Sequence, residues 1–273
     1  MKNKNLFILS LLIFVTLNVY LFVEAPSPLP EYTGKGAIVY SVEDAFRIVA
    51  MENNVVRRLY TKEIVGEGIK RNFKFDEHWR NESIEAGPLP ALFLRSVSSN
   101  LEKHSSPLGV FLGSDYPISP SNKFSGKQQN LFNQIRKDRL PKFFFDDDTK
   151  RYTAMFPDFA STITCVNCHN NHKDSPKRDW ELGDMMGATT WTYPSDSLSF
   201  QEVQEMVNAY RNGVEQTYLL YLSEVQGFKQ RHKPEIGSKW PKDGYYIPEL
   251  KSFMDSVNII ASPYTLSYLL SLK

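Results

Sequence analysis

Cysteine is almost absent from this chain of 273 residues: there are two, Cys165 and Cys168, and both sit in one five-residue stretch. Whatever chemistry thiols perform here is performed there, and a cysteine ligand from any other segment is excluded by composition. Charge of one sign is also scarce. A formal net charge of +1 with no long basic run gives no footing for nucleic acid as a partner. There is no sustained repeat, no low-complexity tract and no kinase or cyclase motif. Long apolar runs are missing with one exception, at the N-terminus.

That exception runs from Leu6 to Val23, interrupted by Ser10, Thr16, Asn18 and Tyr20 and preceded by Lys2 and Lys4. A positive segment before such a run is an export signal. The run exceeds the roughly 7–15 residues of an ordinary signal core and approaches the lower limit for a membrane span. Residues 1–25 therefore read as an uncleaved signal anchor whose positive end stays in the cytoplasm. The remainder would then lie in the bacterial periplasm, held at the inner membrane. The alternative is a cleaved signal peptide and a soluble periplasmic protein, although Val23-Glu24-Ala25 before Pro26 makes a weak cleavage site.

Beyond the export segment, a hydrophobic fraction of 41% suits one domain of ordinary size with appendages. Residues 26–40, rich in proline and glycine, read as a linker. Ser41-x-x-Asp44 starts a helix carrying Val42, Ala45, Phe46, Val49, Val56, Leu59 and Tyr60 at helical spacing, which Gly66 and Gly68 should end. Residues 76–87 read as an irregular loop or short helix. A second helix begins near Pro90 and buries Leu92, Phe93, Val97 and Leu101. The chain turns extended after Leu108, and Gly126 to Asp138 forms a short helix. Lys142–Phe145 and Arg151–Phe156 form a hairpin around Asp146-Asp147-Asp148-Thr149, whose carboxylates suit a solvated turn better than calcium or acid catalysis. Gly187 to Tyr193 offers a further strand. Helices first and antiparallel strands later make an α+β domain over residues 41–195.

A C-terminal helical extension follows over residues 196–273. Ser199-x-x-Glu202 is a capping box, and apolar residues continue at helical spacing toward Phe228. Such a helix, about 40 Å long, either projects to make a homodimer through residues 199–228 or packs back on the domain. Residues 231–248 read as loop. A last helical segment carries Leu250 to Ile260, and Pro263 should break whatever follows.

Cys165-Val166-Asn167-Cys168-His169 is the attachment signature of a c-type haem. Two thiols at this spacing can each form a thioether to one vinyl group, and the next histidine is placed to ligate the iron. Haem c, covalently bound, and its iron are the implied cofactors, with Cys165, Cys168 and His169 as the residues that hold them. A disulfide, half of a zinc site or a thioredoxin-like pair are the competing readings. Zinc wants a second ligand pair, and only His172 is near. A thioredoxin-like pair wants a helix starting at the motif and a preceding βαβ unit, neither of which the sequence suggests.

Around the motif lie Tyr152-x-x-Met155-Phe156-Pro157, then Asn170 after His169, then Ser175-Pro176-Lys177-x-x-Trp180-x-x-Gly183-Asp184-x-x-Gly187. With Ala91–Arg95 and Pro117-x-x-Pro120-x-Asn122 as looser matches, residues 41–193 resemble a family of exported c-type haem sensor domains. That resemblance implies a PAS-like α+β fold with a late C-x-x-C-H, a G-D-x-x-G turn and a closing strand. The family occurs alone or as the sensory part of histidine kinases and cyclases. It implies sensing of redox state or of a small ligand, here through a signalling or redox protein partner. A monohaem electron carrier is the alternative function, and an enzyme lacks a recognisable distal acid/base pair. Candidate sixth ligands are His104 foremost, then His78, His232, Met51, Met155, Met185 and Met186, against a hydrophobic distal side formed by Leu92, Phe93 and Leu94. Lys173, Lys177, Arg178 and Trp180 are candidate propionate partners.

Overall fold

The computed structural model describes residues 10–18, 20, 39–81, 83–103 and 106–272. Residues 10–18 are helical. Most of the expected anchor over residues 1–25, the linker over 26–40 and His104 lie outside the described residues. Among the described residues no helix is long and apolar enough to cross a membrane.

Val39–Lys273 forms one compact unit. It opens with a short strand, β1 (Val39–Ser41), and helix α1 (Val42–Arg58). Ser41 caps α1 as its pattern predicts, its hydroxyl accepting from the Asp44 N–H at 3.1 Å. The helix does not end at the glycines. It continues as a π-helical stretch, Leu59–Gly66, into a final turn, α2 (Glu67–Lys70). Gly66 keeps right-handed helical backbone at φ −62 and ψ −47. Gly68 serves packing instead: a Cβ there would lie 3.0 Å from the Phe73 ring.

Two short strands, β2 (Phe75–Asp76) and β3 (Gly87–Pro88), pair in parallel, and helix α3 (Pro90–Lys103) then buries Phe93, Val97 and Leu101 as expected, with Leu92 half-buried. Strand β4 (Gly109–Gly113), helix α4 (Gly126–Asp138) and the hairpin of β5 (Lys142–Asp146) and β6 (Arg151–Phe159) follow. With β7 (Met185–Tyr193) they build an antiparallel sheet of order β4-β7-β6-β5. Its two faces obey the period of two. Ala154, Trp191 and Tyr193 face the main core with α1 and α3, while Met155 and Ala188 face Phe132 and Ile135 of α4. The fold is α+β with antiparallel strands.

Strand β8 (Ser197–Ser199) pairs with β1 and launches helix α6 (Phe200–Gly227), whose Ser199/Glu202 capping box is complete. Of the two expectations for this helix, packing back is what occurs. Val203, Met206, Tyr210, Val214, Tyr218 and Tyr221 enter the main core with α1 and α3, leaving Leu219 and Leu220 exposed. Residues 231–248, expected as loop, hold a short parallel pair, β9 (Glu235–Gly237) with β10 (Tyr246–Pro248).

The last helix, α7 (Leu250–Ser271), runs straight through Pro263 instead of breaking there. Two bonds beyond the proline hold it in place. Thr265 donates to Glu52 at 2.7 Å, and the Tyr268 hydroxyl donates to Asp44 at 2.8 Å. Glu52 is fully buried and also accepts a forked pair from Arg211 of α6, at 2.9 and 2.7 Å. One carboxylate thus ties α1, α6 and α7 together, and it tolerates burial because each partner is a donor. Removing one member of such a buried pair costs about 3–5 kcal/mol. Glu52→Ala is therefore expected to lower the urea midpoint by a corresponding amount without changing the slope of the transition; an unchanged midpoint would show that the node contributes nothing.

Candidate functional site

The motif sits on an excursion from the sheet. Strand β6 ends in a bulge between Asp158 and Phe159, and the chain returns to the sheet only at β7. Two backbone bonds close the base of the excursion: Ala160 N–H donates to Asp184 O at 2.8 Å, and Gly183 N–H donates to Ala160 O at 2.9 Å. The G-D-x-x-G stretch is what makes this closure possible. Gly183 turns with φ +88, in the left-handed region. The Asp184 carboxylate accepts from the Glu181 N–H at 2.9 Å. At Gly187 a Cβ would lie 2.2 Å from Gly113 O, so only glycine lets β7 approach β4 there.

Within the excursion lies helix α5 (Ile163–Asn171), which carries the motif. The sequence pattern suggests no helix at the motif, whereas the structure has one from Ile163 to Asn171. The strands on either side of it, β6 and β7, pair antiparallel, however, so the motif helix does not cross over between parallel strands as a thioredoxin-like pair requires. Cys165, Cys168 and His169 stand at i, i+3 and i+4, which places all of them on one face of the helix. Both cysteines are free and half-buried. Among the described residues no group of three or more His, Cys, Asp or Glu is arranged to hold a metal ion. Asn170 clamps the helix to the loop that leads back to β7, its amide donating to Trp180 O and its side-chain carbonyl accepting from Trp180 N–H, each at 2.9 Å. Arg178 donates to Lys173 O at 2.8 Å and braces the turn between them.

Cys165 and Met186 both pack against a small cluster of Ala160, Val166 and Trp180. The His169 ring lies edge-on to Trp180 with centroids 6.5 Å apart, and its Nδ1 is buried without a partner. Burial holds the His169 pKa below its ordinary value, against the opposing pull of Asp158. The neutral imidazole so favoured is the form that ligates a metal. Burial raises the Cys168 thiol, and the neighbouring Cys165 and Glu77 add to the effect. Two free thiols and a neutral imidazole on one helix face are a donor set that fits covalent haem.

Three residues that the sequence did not single out border this face. Arg57 of α1 forms an ion pair with Asp158 and lies close enough to act on Cys165. Glu77 accepts from His172 Nε2 at 3.0 Å. Arg57 and Glu77 come from segments far upstream, so no local pattern could have marked them; Asp158 adjoins Pro157 of the motif region, which was a signal. Of the candidate sixth ligands, the structure brings Met186 beside the motif. Met51 packs on the main core, and Met155 and Met185 pack on the α4 side of the sheet. His232 contacts Glu85 at 2.5 Å, and exposed His78 lies 3.5 Å from Asp76. Phe93 and Leu94 belong to the main core, with Phe93 stacked on Tyr60 at 4.1 Å, and not to the small cluster that Cys165 contacts. Lys177 lies 4.5 Å from the Trp180 ring centroid and 2.5 Å from Asp179.

A family model described as Tll0287-like matches residues 36–194, the span that holds the sheet and the motif helix. No curated protein and no solved structure matches the chain.

The Glu77–His172 contact has a defined pH signature. Its hydrogen bond to His172 holds the Glu77 carboxyl below the usual carboxylate range. A depressed carboxyl stabilises the fold above its unfolded pKa of about 4.3 and loses that contribution as pH falls through the folded value. Hydrogen exchange in residues 72–81 and 163–175 should therefore accelerate as pH falls below about 4, after correction for the intrinsic rate. Glu77→Gln should abolish that acceleration; its persistence in the variant would assign it to another group.

Proposed function

The chain belongs to the Tll0287-like family, a family of c-type haem sensor domains, and on that premise we propose that it is a periplasmic c-type haem protein that senses redox state or a small ligand. The observation that carries this reading is the placement of Cys165, Cys168 and His169 on one face of a helix closed off by the G-D-x-x-G turn. Cys165 and Cys168 would hold the haem through thioethers, and His169 would ligate its iron. Bound haem iron supplies a one-electron centre and, where its distal side is open, a site for NO, CO or O₂. The chain's own residues keep the imidazole neutral by burial, and they anchor the helix through Asn170. The antiparallel sheet with a helical excursion between its last two strands supports a PAS-like arrangement. Anchoring to the inner membrane through residues 1–25, a homodimer through the outer face of residues 199–228, where Leu219 and Leu220 stay exposed although the helix packs back on the domain, and a signalling or redox protein partner complete the proposal.

A monohaem electron carrier is the second reading. It draws on Met186, which packs against the same small cluster as Cys165 and could supply a thioether as sixth ligand.

Absorption spectra of protein matured with c-type haem, taken ferric, dithionite-reduced and under CO, test both readings. A c-type spectrum that shifts promptly with CO is expected for a ligand sensor. Indifference to CO, reversed in Met186→Ala, would favour electron transfer. Replacing both Cys165 and Cys168 by alanine should remove haem that survives denaturing electrophoresis. An intact protein without any haem band would overturn the proposal.

A further inference from the structure

Helix α7 is apolar on the side that meets the domain, as a packed helix should be, but its opposite side is apolar too. Ile259, Pro263, Leu266 and Leu270 recur at i, i+4, i+7 and i+11, which sets them in one stripe. Phe253, Val257 and Ala261 are among the buried residues of the helix, and the stripe lies on the other side. All four of its residues are exposed, with Ile259 at 74%, Leu266 at 59% and Leu270 at 54%. No charged residue occurs from Ser256 to Leu272. A helix facing water ordinarily sets charge opposite its packed side, and a helix that is apolar on both sides is covered on both.

The last turns of α7 sit where the chain arrives from its apolar N-terminal run. The Tyr268 hydroxyl bonds Asp44 in the first turn of α1, and α1 follows β1 directly. Strand β1 begins at Val39, which pairs with Ser199. Phe200, next in the chain, holds its ring 6.4 Å from that of Tyr40. Val39 and Phe200 are both exposed, so they add apolar surface at the same end of the domain. Residues 26–38 join Val39 to residues 1–25, and a chain of that length reaches at most about 45 Å.

We propose that α7 lies on the periplasmic surface of the inner membrane through this stripe, with Val39 and Phe200 at its edge. The inference deepens the anchored reading of residues 1–25 and rests on it for the tether. A tether fixed in the bilayer keeps the stripe at high effective concentration beside lipid, so a modest apolar contact is enough. A second copy fits the stripe less well. Paired helices set register and orientation with charges beside the seam, and here the nearest on the helix, Lys251 and Asp255, bond each other at 2.6 Å. Pro263 limits the depth, because it leaves the Ile259 carbonyl without its ordinary helical donor and so keeps this side at the wet headgroup level. Among the described residues no helix is long and apolar enough to cross, so lying on the surface is what α7 can do.

Hydroxyl-radical footprinting of the full-length haem-matured protein, one copy per nanodisc of phosphatidylethanolamine and phosphatidylglycerol, tests this by comparing leucines with one another. Leu219 and Leu220 of α6 are each 42% exposed, less than Leu266 and Leu270. In water the stripe leucines would be oxidised faster than that pair; in the discs they should be oxidised severalfold more slowly. Ile259→Lys combined with Leu270→Lys alters only exposed side chains and should restore fast oxidation of Leu266. Leu266 reacting as fast as Leu219 in the discs would overturn the proposal. Protection that appears only in discs holding two copies would overturn it equally, because a second copy would then be the cover. Intact mass tests the tether separately, since loss of residues 1–25 would sink the anchored reading alone. The mature chain should then still float with vesicles of the same lipids, and less so with the two lysines; failure to float would remove the stripe's assignment as well.

Discussion

Everything at the motif depends on one closure, the pair of backbone bonds that join Ala160 to Gly183 and Asp184. They let the sheet be interrupted between adjacent strands without leaving its edge groups unpaired, a cost that a buried backbone cannot bear. Because the closure is tight, the excursion it encloses is short. Helix α5 is therefore held near the end of the sheet, and a second clamp from Asn170 to Trp180 fixes it to the loop that leads into β7. Gly183 and Gly187 are the residues that make the closure sterically possible, the first through its left-handed backbone and the second through the absent Cβ beside Gly113.

The compact unit around it divides its labour between two kinds of interaction. Apolar area on both faces of the sheet drives assembly, with the larger share between the sheet and α1, α3 and α6. Buried polar groups then fix the orientation of those helices. Glu52 binds α6 and α7 to α1, Tyr60 donates to Pro88 O at 2.7 Å, and Tyr218 donates to Pro248 O at 2.7 Å. Each of these groups has a partner, which is the condition under which polarity in a core specifies geometry at little cost. The Thr189, Thr190 and Trp191 side chains of β7 depart from that rule, their polar atoms buried without a partner.

Much of the outline was legible in the residues. Helix α4 was expected over Gly126 to Asp138 and has those bounds. The β5–β6 hairpin, β7 and the capping boxes at Ser41 and Ser199 follow from turn chemistry and local hydrogen bonding, which act over a few residues. Three local readings failed where longer-range packing outweighed propensity. Gly66 and Gly68 were read as a stop, but Phe73 packs over the helix that passes through them. Pro263 was read as a break, but Thr265 and Tyr268 hold the following turns to α1. The motif shows no helical pattern because its apolar periodicity is weak, and the helix is held from outside by Trp180, which Asn170 grips, and by the closure.

What the sequence alone determined is the chemistry: two thiols and an imidazole in one short stretch, the glycines and aspartate that follow, and the α+β character of the domain. Spacing along the chain is enough for these, because each depends on neighbours within a turn or two. What only the tertiary structure decided is the company the motif keeps. Arg57 and Glu77 reach it from distant segments, and Met186 but not Met51, Met155 or Met185 packs against the same small cluster as Cys165. Contacts of that kind depend on how helices lie against a sheet, and no local pattern encodes where two remote side chains meet.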